Sequence, residues 1–204
     1  MRRILVRLVA CLPLFLAQVW AQALDIMFVL ETSPGTEQQI GLIRSRDLKE
    51  DDRAGVIGFI RSVQLLQPLT ENREDLAKAL QHAGIRIVIG AAFQANQYGS
   101  VNLSEALRQS FGEFGVGGSG RKRAIVLLAA SEDPRLVGNL DSLKAMLAES
   151  EARLFVVAIT RVSGRAYSFP TVTIQFLDQL AKDSGGRVFR GAWDLKSILA
   201  SARK

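Results

Sequence analysis

The chain has 204 residues, a formal net charge of +6 and a single cysteine, Cys11. That length suits one ordinary domain with a sizeable core. One cysteine excludes an intrachain disulfide and any site built from several Cys ligands.

The first 23 residues read as an export leader rather than as part of the fold. Arg2, Arg3 and Arg7 make a basic start, Leu8 to Val19 is apolar, and Ala21-Gln22-Ala23 is a small-x-small cleavage site. The apolar run is too short to span a bilayer, which takes about 20 residues. Leu8-Val9-Ala10-Cys11 resembles a lipoprotein box, but few apolar residues precede Cys11 and Leu12 to Leu16 continue the apolar run after it. Cleavage after Ala23 is expected, with residues 24–204 as one domain, secreted or held in the periplasm or cell envelope and not inserted in the membrane. The leader carries three arginines and no acid, so half of the net charge leaves with it. What remains is an ordinary solvated surface and no argument for a nucleic-acid partner. Cys11 leaves as well.

In chain order, Ile26–Leu30 is a continuous apolar run, as are Ala124–Ala129 and Leu154–Ile159. Such runs mark strands of a parallel sheet covered on both faces. Gly55–Ile60 and Val63–Leu66 are joined by Arg61-Ser62, a link short enough to require an antiparallel pair. Glu74–His82 has helical spacing and a capping start at Thr70 and Asn72. Gly84–Gly99 contains the alternating run Ile85-Arg86-Ile87-Val88-Ile89 and reads as an extra edge strand or a mobile flap. Leu103, Ala106, Leu107 and Phe111 form a helical face, and so do Leu140, Leu143, Met146 and Leu147. Ser163–Thr171 reads as a loop, Phe176 to Ala181 as a helix, Arg187–Arg190 as a short strand and Leu195 to Leu199 as a last helix. The alternation predicts an α/β fold: a doubly wound, mostly parallel six-stranded sheet with one antiparallel edge strand and helices on both faces.

Several patterns fail as catalytic signatures. Gly115-Val116-Gly117-Gly118-Ser119-Gly120 spells a dinucleotide motif, but a helix precedes it and a strand follows, the reverse of what phosphate binding needs. Arg121-Lys122-Arg123 after it excludes a P-loop. His82, the one histidine, lies at a helix end and serves no Ser-His-Asp set. A hydrolase on a doubly wound sheet is the least favoured function, since Gly-x-Ser-x-Gly is absent. Asn102-Leu103-Ser104 matches a glycosylation acceptor but sits at a helix start.

The stretch Leu24-Asp25-Ile26-Met27-Phe28-Val29-Leu30-Glu31-Thr32-Ser33-Pro34-Gly35 resembles the opening of a von Willebrand factor type A (VWA) domain, whose first strand ends in Asp-x-Ser-x-Ser. Asp52 to Phe59 resembles that family's second strand, Leu69 to Arg73 its next link, Gly99 to Leu107 its Gly-Gly-Thr loop and helix, and Ala124 to Leu128 its fourth strand. Leu180-Ala181-Lys182-Asp183-Ser184-Gly185-Gly186-Arg187-Val188-Phe189 resembles its late Leu-Ala-x-x-Thr-Gly-Gly-x-x-Phe signature. The resemblance spans nearly all of residues 24–204 and implies a VWA-like, Rossmann-like domain that works by binding another protein.

It also implies an oxygen cage for Mg²⁺ or Mn²⁺ at the carboxyl ends of the strands. Carried over position by position, the first Asp becomes Glu31, the first Ser stays Ser33, the second Ser becomes Gly35, the Thr becomes Val101 beside Ser100, and the second Asp becomes Ala130. No metal or other cofactor is expected from so depleted a set, with Glu31 and Ser33 the only candidate ligands for a Mg- or Mn-dependent alternative. Ser131-Glu132-Asp133 follows the same strand end and is the nearest source of replacement oxygens. Glu31, Ser33, Ser100, Ser131, Glu132 and Asp133 together form the candidate partner-binding face. A plainer reading has Glu31 and Ser33 capping the first helix and Glu132 and Asp133 as solvated acids before Pro134.

Overall fold

The structure, a computed structural model, describes residues 22–93, 101–115, 120–159, 161–162, 165–166 and 171–204. Its centre is β1 (Leu24–Glu31), every residue of which is buried. β1 pairs in parallel with β2 (Arg53–Phe59) on one side and β4 (Lys122–Ala129) on the other. β5 (Ala152–Ala158) and β8 (Arg187–Phe189) extend the sheet beyond β4 in parallel. β3 (Val63–Thr70) closes the opposite edge antiparallel to β2, giving the order β3-β2-β1-β4-β5-β8. This is the six-stranded, mostly parallel sheet with one antiparallel edge strand that the apolar runs predict.

Side chains alternate across a strand, so β1 feeds two cores. Leu24, Ile26, Phe28 and Leu30 face α1 (Glu37–Ile40), α2 (Arg73–Phe93) and α6 (Leu195–Ala202) through Ile40, Leu76 and Ile198. Met27 and Val29 face α3 (Leu103–Gly112), α4 (Leu136–Ser150) and α5 (Thr171–Asp183) through Leu107, Leu143 and Leu177. Helices on both faces remove the carboxyl ends of the parallel strands from the core and gather their loops at one pole.

Two expectations need correction. Gly84–Phe93 is neither an edge strand nor a flap but the second half of α2. The helix starts on a firm cap, with Asn72 Oδ1 accepting from the amides of Glu74 at 2.9 Å and Asp75 at 3.3 Å. Once nucleated, a helix propagates at little cost, and no proline stops this one; Gly84 penalises it by about 1 kcal/mol. The remainder of that stretch, from 94 on, lies outside the described residues. The loop expected over Ser163–Thr171 contains Arg165–Ala166 (β7), which ladder against Arg161–Val162 (β6), and its end, Thr171, opens α5; positions 163–164 and 167–170 lie outside the described residues.

The late signature does what its glycines suggest. Gly185 has φ +75°, where a side chain is strained. Gly186 passes so close to β5 that an added Cβ would lie 1.9 Å from the Leu154 carbonyl oxygen. The turn thus lays Val188 and Phe189 alongside Val156 and Val157.

Candidate functional site

The pole at the carboxyl ends of the strands is organised by Glu31, the last residue of β1, which is fully buried. Its arm, one methylene longer than Asp, turns sideways to the neighbouring strand. There Oε2 accepts hydrogen bonds from the backbone amides of Ala130 at 2.7 Å and Ser131 at 3.0 Å. Oε1 accepts from the Ser33 hydroxyl at 2.7 Å and from the Ser131 hydroxyl. Four donors therefore surround one carboxylate, and charge-assisted bonds of this kind are about twice as strong as neutral ones.

Glu31 and Ser33 do not cap α1, contrary to the plainer reading. The turn before α1 holds itself together through Thr36, whose hydroxyl lies 2.8 Å from the Glu31 carbonyl and 2.9 Å from that of Ser33. Gly35 adopts φ +94°, and its amide donates to Glu37 Oε2 at 2.8 Å.

Asp133 is likewise no solvated acid. It is buried, with Oδ2 accepting from the Ser104 amide at 2.9 Å and hydroxyl at 2.7 Å. Its Oδ1 accepts from the Arg135 amide at 3.0 Å and Nε at 3.1 Å. Asn102, at the N-terminus of α3, makes no cap bond of its own, so Asp133 caps that helix from the β4–α4 loop. Burial pushes the Asp133 carboxyl up, but the bonds from Ser104 and Arg135 prevail and hold it below the ordinary carboxylate value.

Of the predicted face, then, Glu31, Ser33 and Asp133 are internal supports, Ser131 is half-buried and Glu132 is exposed. Ser100 lies outside the described residues. Glu31, Ser33 and Ser131 are brought into one hydrogen-bonded knot, and Asp133 forms a second one with Ser104 and Arg135.

These residues do not fit a Mg²⁺ or Mn²⁺ ion. Gly35, Val101 and Ala130 offer no side-chain oxygen, and Val101 is buried in the core against α3. The one carboxylate at the centre is ringed by N–H and O–H donors, whose positive ends repel a cation, whereas Mg²⁺ requires near-octahedral oxygens.

Two features of the molecule had no counterpart in the sequence reading. The first lies at the opposite pole. Asp25, buried, takes bonds from Arg53 at 2.9 and 2.5 Å and from Arg121 at 2.6 Å. Burial raises its pKa, but the two guanidiniums outweigh that and hold it low. Beside it Asp52 accepts from the Leu24 amide at 3.0 Å, the Lys49 amide at 2.8 Å and the Arg203 guanidinium, joining the start of β1 to the end of α6. The second is a pair of clefts at the strand-end pole that meet at Trp193 and Leu42. The spacing Arg44-x-Arg46, with Trp193 far along the chain, was the sequence signal available for these.

No family profile matches the chain, and no curated protein matches it in sequence. Similarity appears among solved structures. The conserved hypothetical protein BatB from Bacteroides thetaiotaomicron superposes with a TM-score of 0.59 at 17% identity, over 89% of this chain and 96% of the other. An aerotolerance-related membrane protein from Bacteroides fragilis, carrying multiple mutations to serines, gives 0.57 at 15% identity, over 88% and 96%. The SpRpn10 VWA domain gives 0.56 at 12% identity, over 87% and 94%. With near-complete mutual coverage at these TM-scores, and with a six-stranded, mostly parallel sheet covered by helices on both faces, this chain has the fold of a von Willebrand factor type A domain.

Proposed function

We propose that the protein is an exported recognition module, held in the periplasm or cell envelope, that binds another protein through the strand-end pole without a metal ion. The observation that carries this reading is the saturated carboxylate of Glu31. A partner that bound through a shared cation would need that group free, and here it fastens β1 to the β4–α4 loop. The loops are thereby held in one arrangement by the chain itself, which lowers the ordering cost of binding. Ser131, Glu132 and Arg135 are what the pole offers outward in this region, with Arg135 half-exposed. His82, the chain's single histidine, is exposed on α2. A bacterial membrane protein among the structural neighbours suits the envelope assignment.

Chemical crosslinking in the native envelope, with the tagged full chain as bait, tests the proposal. Capture of a specific protein should persist in EDTA, fall several-fold for Glu132→Arg, and stay unchanged for Glu149→Arg at the far end of α4. Calorimetry with Mg²⁺ and Mn²⁺ should be flat. A one-to-one isotherm tighter than about millimolar, abolished by Glu31→Ala, would overturn the metal-free reading in favour of a Mg- or Mn-dependent binder.

A further inference from the structure

Beside the Glu31 knot the strand-end pole carries two open clefts that share one wall. The first, about 630 Å³, runs along the end of β5 at Ala158 and Ile159 to Arg190 and Trp193. The second, about 480 Å³, lies between Arg44, Arg46 and Lys196. Trp193 and Leu42 line both. Trp193 is half-buried against the core, and its indole N–H donates to Gln39 Oε1 at 2.7 Å, which ties it to α1. Leu42 is 44% exposed. A half-buried tryptophan flanked by arginines is the make-up of an interface hot spot.

The charge of the rim decides what fits. Asp47 shares Lys196 at 3.8 Å, and Asp194 is engaged as the cap of α6, accepting from the Ser197 amide at 2.9 Å. Arg190 is only loosely shared with Asp178, at 3.6 Å between exposed groups. Arg44 and Arg46 are exposed and form no ion pair among the described residues. The rim of the two clefts is thus net basic, with Arg44, Arg46, Lys196 and Arg190 against Asp47 and Asp194.

We propose that this double cleft is the docking site for a short acidic segment of a partner protein, with bulky apolar side chains seated on either side of Trp193 and its carboxylates on Arg44 and Arg46. This rests on the recognition role proposed above and names the chemistry of its partner. Arg–carboxylate pairs at the rim set orientation and on-rate, and the apolar side chains supply affinity.

The chain contains two tryptophans, Trp20 in the leader and Trp193. In the full chain carrying Trp20→Phe, Trp193 is the sole tryptophan whether or not the leader is removed, so its emission reports the cleft directly. The probe is the acetylated, amidated peptide Asp-Glu-Phe-Leu-Glu-Asp. Its two controls replace every acid by Lys, or Phe-Leu by Gly-Gly. The acidic apolar peptide should give a saturable blue shift that weakens with added salt, and neither control should. Arg44→Glu with Arg46→Glu, or Leu42→Ser, should weaken binding at least tenfold with an unchanged circular dichroism spectrum. No saturable response, or an equal one to either control, overturns the proposal. So does a shift on raising the protein concentration alone, which would make a second copy of the chain the occupant. A flat peptide titration alongside envelope capture that still depends on Glu132 would reject this cleft and leave the recognition role standing.

Discussion

Glu31 is an internal strut of the strand-end pole. Removing its carboxylate strands the Ala130 amide, which is buried, and loosens that of Ser131. Each buried donor left without a partner costs about 1–3 kcal/mol, so Glu31→Ala should destabilise by roughly 2–4 kcal/mol in urea unfolding, and Glu31→Gln by less because one oxygen remains. A change within 0.5 kcal/mol for Glu31→Ala would mean that the knot is not holding the loop. Asp133 makes a prediction in pH. Its folded pKa lies below the ordinary value of 3.8, so its contribution is full above that value and is lost as pH falls through the folded pKa. Urea midpoints of the wild type should therefore drop more steeply below about pH 4 than those of Asp133→Asn. Parallel curves would refute the assignment. At this scale the sequence is a partial guide. The loss of oxygens at Gly35, Val101 and Ala130 is visible by position. The sideways reach of Glu31 is not, because it depends on which strand lies next to β1, a fact of topology rather than of spacing.

At the scale of elements, the turn from α5 to β8 separates two reasons for glycine. Gly185 needs a left-handed backbone, and alanine there should cost about 1 kcal/mol. Gly186 needs room, and alanine there would drive a methyl into the Leu154 carbonyl at 1.9 Å. Gly186→Ala should cost at least about 3 kcal/mol or displace β8. Equal midpoints for the two variants in denaturant would contradict this distinction. The strands were readable because two-sided burial imposes continuous apolar runs. The far half of α2 was not, since Ile85-Arg86-Ile87-Val88-Ile89 alternates like a strand while its conformation follows from the helix already under way before it. The Trp193 clefts escaped for a similar reason: α1, the β8–α6 link and the end of β5 are far apart in sequence and meet only in the folded sheet.

For the whole molecule, the expectation that can be checked first is processing. Secreted or envelope material should begin at Leu24 on N-terminal sequencing, because Ala21 and Ala23 occupy the small-residue positions of the cleavage site. Cytoplasmic protein retaining Met1 would refute export. Among the described residues no helix is long and apolar enough to cross a membrane.

The position of β1 has a mechanical consequence. The strand begins at one pole, clamped there by Asp52 on the Leu24 amide, and runs through the middle of the sheet to the strand-end pole. Seven residues of it are in register with β2 and seven with β4, both parallel. A pull applied at Leu24 along that axis cannot open these ladders one bond at a time; it must slide the strand past both neighbours at once. Under tension applied between Leu24 and the strand-end pole, the domain therefore resists as a shear joint, and its lifetime under load is set by the rate of that concerted slip rather than by its equilibrium stability.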